Sequence, residues 1–238
     1  VNSQKQVTYF YKTLPQKKSP FLAGQEALMY TFVSVQQPVR LSAFQEGKSV
    51  IVSYFNDPFP PGAPAFSTAQ AKVSKTIKPD SSFVVEPETA LKFEKKGLYL
   101  AQQDTTSAEG LAFRVEDDYP KLGKLESLAG PLIYICTKQE YEKLSAAGAD
   151  KKKFDQLIVG ITGNTDRARI FMRNYFKRVE LANLYFTSYK EGWKTDRGML
   201  YIIYGQPDEV YLFEDREVWD YKALKTRFQF VKSSTLYD

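Results

Sequence analysis

The stretch Thr165-Asp-Arg-Ala-Arg-Ile-Phe-Met-Arg-Asn-Tyr-Phe-Lys-Arg-Val-Glu-Leu-Ala-Asn-Leu-Tyr-Phe-Thr-Ser-Tyr-Lys190 sets the architecture. Within it Ala168, Phe171, Met172, Tyr175, Val179, Ala182, Phe186 and Tyr189 recur at three- and four-residue steps. That period puts them on one apolar face of a long helix. Asn164 or Thr165 can cap its start, Asp166 sits where the helix dipole favours a negative charge, and Gly192 offers an exit. Arg167, Arg173, Lys177 and Arg178 fall on the opposite side, a solvated face or a docking strip for an anion. A face this wide is expected to pack on a sheet.

Candidate strands lie on both sides of the helix. Downstream, Met199–Tyr204 reads as a strongly apolar strand, Gly205-Gln-Pro207-Asp208 as a turn, and Glu209–Phe213, Glu217–Tyr221 and Arg227–Lys232 as an antiparallel meander. Upstream, Gln6–Tyr11, Ala27–Val35, Val39–Ala43, Val50–Phe55 and Ser82–Val85 are rich in β-branched and aromatic residues and are spaced like a small sandwich. Further strands are expected at Leu91–Glu94, Leu98–Gln102, Gly110–Val115 and Pro131–Cys136. Thr137 with Glu140 has the capping-box spacing, so a short helix should run to Ala147 and stop at Gly148. The segment Asn56–Ala65 holds four prolines and reads as an extended loop anchored by Phe55, Phe59 and Phe66. The fold class is therefore α+β: a mostly-β module over residues 1–120, then a long helix packed on an antiparallel meander over 121–238, with chain possible beyond Asp238.

Composition excludes more than it assigns. With 238 residues and 43% apolar content the chain can bury a substantial core, and its 16 Tyr and 17 Phe suit sheets and interfaces. There is no histidine, which removes the commonest general base and metal ligand together and rules out Ser-His and Cys-His pairs. Cys136 is the single cysteine and sits in an apolar run, so a buried, inert thiol is expected. The net charge of +5 is spread along the chain, and no nucleic-acid-binding motif accompanies it. Asp117 and Asp118 are adjacent carboxylates, but two side chains alone make a poor metal site. No metal and no cofactor are expected. No apolar run approaches the ~20 residues that span a bilayer.

The residues Gly192-Trp193-Lys-Thr195-Asp196, followed by Gly198, Gly205 and Pro207 and later by Trp219-Asp-Tyr221, closely resemble the GWxTD-domain family of bacterial envelope proteins. The Asp117-Asp-Tyr-Pro120 turn and the Pro131–Tyr134 run are similar to its longer members. The resemblance implies an exported protein, periplasmic or associated with the outer membrane, often lipid-anchored, and it carries no established reaction. Read physically, the motif is a corner: Gly192 for a left-handed helix exit, Trp193 as an apolar plug, Thr195 or Asp196 bonded to backbone groups of the turn, and Gly198 and Gly205 framing the strand between them.

The expected function is a non-catalytic interaction or scaffold module, an accessory subunit that binds envelope proteins. Trp219, Tyr221, Tyr211 and Phe59 are the expected partner surface, because aromatics bury much area with few rotatable bonds. Two other readings stand beside it. Stacked aromatics could bind a glycan. A hydrolase could use carboxylates near Asp196 or at Asp117 and Asp118; pairing Asp196 with Asp208 across a strand would leave them ~20 Å apart, too far for acid/base work.

Overall fold

The computed structural model describes residues 21–23, 30–42, 45, 47–67, 77–107 and 110–231. The strand expected at Gln6–Tyr11, and the parts of other expected elements at residues 27–29, 43 and 232, lie outside them. Strands β1 (Phe21–Ala23) and β3 (Arg40–Ser42) pair antiparallel as a ribbon. Strands β2 (Phe32–Ser34), β4 (Val50–Phe55), β5 (Ser81–Val85), β6 (Gly97–Gln102) and β7 (Leu111–Glu116) form a five-stranded sheet in the order β2-β7-β6-β4-β5. All its pairs are antiparallel except β2 with β7.

The period-two alternation of strands gives this sheet two different faces. On one, Val50 and Val52 of β4, Ala101 of β6 and Phe113 and Val115 of β7 are fully buried with Val33, Val39 and Leu41. On the other, Phe55 and Leu98 meet Phe59 from the proline-rich loop, and Tyr189 stands edge-on to Phe59 at 5.1 Å. That second face also carries Arg114 and Glu116, both buried. Alternation alone reads them as solvent-facing, yet a helical body covers them.

The helical body comprises α1 (Leu125–Leu128), α2 (Lys138–Ala147), α3 (Lys151–Thr162), α4 (Thr165–Phe186) and α5 (Asp196–Tyr204). Helix α2 has the capping box, with Thr137 and Glu140 each bonding the other's backbone N–H. Asn164 caps α4 through the Arg167 N–H, and Asp150 caps α3 through the Lys153 N–H, which puts Lys151–Lys153 in an exposed first turn. Strands β8 (Glu209–Leu212), β9 (Arg216–Tyr221) and β10 (Thr226–Val231) follow as an antiparallel meander in the order β10-β9-β8. The α+β class is as expected. Helix α4 reaches the meander where Phe186 meets Trp219 at 5.3 Å, and α3 and α5 take most of the rest of its apolar face.

Three elements differ from the sequence expectation. Met199–Tyr204 is helical, because a short, continuous apolar run has no period of its own and the preceding Thr195 supplies a helix cap. Gly130–Tyr134 is a 3-10 turn with Pro131 second, in the opening turn where a missing N–H costs nothing. Leu91 makes a single bridge to Val39 and no strand. Helix α4 also ends earlier, at Phe186, where Thr187 turns extended and its hydroxyl bonds the Asn183 carbonyl at 2.5 Å.

Candidate functional site

The Gly192–Asp196 motif is a corner between α4 and α5, and its polar atoms bond within the fold. Gly192 opens a 3-10 turn outside the left-handed region, so its role is close approach. A Cβ there would lie 2.1 Å from the Ala182 carbonyl oxygen of α4. A Cβ on Gly198 would lie 1.8 Å from the Gly192 carbonyl oxygen. Thr195 is completely buried; its hydroxyl donates to the Gly192 carbonyl at 2.8 Å and accepts the Gly198 N–H at 2.9 Å, capping α5. Gly205 closes α5 with φ at 83°. Its N–H goes to the Tyr201 carbonyl, and its own carbonyl accepts the Tyr221 hydroxyl at 2.8 Å. Arg178 also serves this end, donating to the carbonyls of Ile202 and Ile203, which removes it from any anion-docking strip.

The corner is fastened to α4 through Asn183, a fully buried residue on the apolar face. Its amide oxygen accepts the Trp193 N–H and its NH2 donates to the Pro120 carbonyl, both at 2.9 Å. Trp193 lies over Gly130, where an added Cβ would come within 3.0 Å of the indole. The Tyr134 hydroxyl donates to the Trp193 carbonyl at 2.8 Å. Burial pushes the Tyr134 and Tyr119 hydroxyls well above the usual tyrosine range, so both stay neutral donors. Tyr119, one hydrogen bond from Thr187, accepts the Gly192 N–H at 3.0 Å.

The same corner joins the five-stranded sheet to the helical body. The Thr31 hydroxyl donates to the Thr187 carbonyl, and the Gly62 N–H of the proline-rich loop to the Lys194 carbonyl. The Lys194 ammonium reaches Glu191 at 2.9 Å and the Pro58 carbonyl at 2.5 Å. Arg114 donates to the Tyr189 carbonyl at 2.8 Å, bonds Glu116 at 2.6 and 2.7 Å, and lies 3.7 Å from Glu191.

Beside this joint opens a polar cleft of about 390 Å3 bounded by Asn56–Pro58, the start of β6, the end of β7 and the corner. Burial pushes the Glu116 carboxyl above the usual range; Arg114 pulls it down and Glu191 pushes it up. Asp117 goes the other way, held low by its bond to Lys124 at 2.9 Å.

A family model described as the GWxTD domain matches residues 97–238, more than half of the chain. The chain belongs to the GWxTD-domain family. Comparison with curated proteins and with solved structures returned no match to either.

The GWxTD motif and the Asp117–Pro120 turn, far apart in sequence, meet at one cleft through Tyr119 and Trp193. Asp196 sits instead in the first turn of α5, its carboxylate 3.1 Å from where a Gly62 Cβ would lie. Asp208 bonds the Lys222 N–H at the meander. Because α5 is helical, the separation argued for Asp196 and Asp208 from a strand does not hold; nine helical residues rise only ~14 Å. Pro207 is half-buried in the turn into β8. Among the described residues no cluster of three or more candidate metal ligands occurs. Cys136 is buried, and burial pushes its thiol up to about 11.

The expected partner surface needs correction. Trp219, Tyr221 and Phe59 are 2%, 4% and 4% exposed, because the GWxTD corner, α4 and the second sheet face cover them. They are core residues and form no stacked platform. Tyr211 alone of the four is open, at 42%. Sequence reasoning missed Arg114, Glu116, Asn183 and Thr187. Asn183 left a trace, a single amide on an otherwise apolar helix face; Arg114 left none.

One consequence is measurable. Thr195→Ala strands the buried Gly198 N–H and leaves the Gly192 carbonyl with only the Thr195 N–H, and should cost about 1–2 kcal/mol. We expect a lower urea midpoint at unchanged slope. Thr195→Ser, which keeps the hydroxyl, should recover most of the loss; equal losses for both variants would refute the capping role.

Proposed function

We propose that this chain is a non-catalytic interaction module of the bacterial cell envelope, an accessory subunit that docks a protein partner along the outer edge of β8. The observation that carries the reading is the edge itself. Strand β8 ends the meander, and no described strand pairs with its outer side. Val210, Tyr211, Leu212 and Phe213 follow one another there at 46, 42, 66 and 46% exposure. Natural proteins blunt such edges with charge, proline or a covering element, because unpaired N–H and C=O groups template strand addition. An apolar run left open on an edge suits a partner that adds a strand. The GWxTD motif supports the same reading, since its polar atoms hold the fold together. Export and outer-membrane association, with a lipid anchor outside this sequence, follow the family resemblance. Among the described residues no helix is long and apolar enough to cross a membrane.

The test is a photo-crosslinker at Tyr211 in the full-length protein, expressed in its own envelope. One protein should be captured there, and Val210→Lys with Leu212→Lys should abolish the capture while the melting temperature holds. Capture that survives both lysines would defeat the docking edge.

A carboxylate-dependent hydrolase is the second reading, favoured by the buried Glu116 carboxyl beside Glu191 in an open cleft. It moves the candidate acid from Asp117 and Asp196 to Glu116. Turnover of a glycan or peptide that Glu116→Gln removes would establish it over the docking reading.

A further inference from the structure

Helix α4 carries an apolar trough that neither the corner nor the β8 edge uses. Leu122, Leu128, Met172 and Phe176 line a depression of about 650 Å3, and all four are only part-buried. That volume falls within the ~300–1,000 Å3 of small-molecule sites, which are mostly apolar with a few placed polar groups. Its rim is charged with one sign in excess. Lys121 and Arg173 stand exposed beside it, and neither is in an ion pair among the described residues. The other two rim charges, Lys177 and Glu180, neutralise each other at 3.3 Å.

The dimensions and the charge specify an occupant together. From Met172 to Glu180 the helix rises ~12 Å, the reach of a medium-length acyl chain. An apolar floor takes the chain, and two cations without counter-charge suit an anionic head. A neutral amphiphile would fill the floor and leave both cations unused. Met172 adds an unbranched side chain that adapts to different chain shapes.

We propose that the trough binds a free fatty acid, its chain along Leu122, Leu128, Met172 and Phe176 and its carboxylate on Lys121 and Arg173. The site is independent of the β8 edge, and the two stand or fall separately.

The experiment is calorimetric titration of the whole protein with laurate and with dodecyl maltoside, both below their micellar concentrations at low salt. Laurate should bind at least about tenfold more tightly than the maltoside, since only it adds a charge-assisted contact. The double variant Lys121→Gln/Arg173→Gln changes two exposed residues, so it should fold normally. It should weaken laurate about tenfold and leave the maltoside unchanged. Met172→Glu, checked for an intact melting transition, should abolish both. Absence of laurate binding, equal affinity for the two ligands, or indifference of laurate to the double variant would each overturn the proposal.

Discussion

Gly198→Ala is expected to destabilise the native fold severely, although helix propensity predicts the reverse. Gly198 lies in the first turn of α5, and replacing a helical glycine by alanine ordinarily gains about 1 kcal/mol. Here the new methyl would sit 1.8 Å from the Gly192 carbonyl oxygen, while the Thr195 side chain that the Gly198 N–H bonds is 3.0 Å away. Neither neighbour can retreat. The Gly192 backbone is itself pressed against Ala182 and Asn183 of α4, and Thr195 is completely buried. Relief therefore means moving α5 off α4, at a cost we put at about 4 kcal/mol or more, in the range reserved for core disruption. At ~2–4 °C per kcal/mol for a chain of this size, the melting temperature should fall by about 10 °C or more. A melting temperature equal to or above the parent's would show that the corner is looser than this geometry requires.

Arg114→Met should rank beside it, and its penalty should depend on pH. The guanidinium bonds the Glu116 carboxylate twice and also holds the Tyr189 carbonyl. Removing one member of a buried pair costs about 3–5 kcal/mol, because the other charge stays behind without compensation. In the parent, burial already raises the Glu116 carboxyl above 4.5 against the pull of Arg114; without Arg114 it rises further. A carboxyl raised in the folded state lends stability that is complete below its unfolded pKa and disappears as pH climbs through the folded one. The loss caused by Arg114→Met should accordingly be smaller near about pH 5 than near about pH 7.5. Adding Glu116→Gln should recover most of it at the higher pH. Denaturation curves of the single and double variants at both pH values decide the matter: a loss that ignores pH and is not rescued refutes the account.

Much of the scaffold could be read before the structure. The long helix, its start at Asn164 or Thr165, the capping box at Thr137 and Glu140, and the meander all follow from signals a few residues long. Met199–Tyr204 misleads because six apolar residues in a row fit a buried strand and a buried helix equally. The deciding information was the Thr195 hydroxyl, whose partners lie at Gly192 and Gly198. The joint was less legible still. Arg114 occupies the outward register of β7, and only the helical body lying across that face makes it a buried tie. Trp219 and Tyr221 show the same limit from the other side: composition suits them to an interface, yet packing claims them for the core.

The family match starts at Gly97, the first residue of β6. It thus includes β6 and β7 and leaves out β4 and β2, the strands hydrogen-bonded to their outer sides. A two-stranded hairpin is marginal by itself in water, and severing it here would also uncover Phe113 and Val115. The stretch matched by the family is therefore smaller than the sheet it belongs to, and Thr31, Pro58 and Gly62, which bond the corner that carries the family's motif, lie outside it.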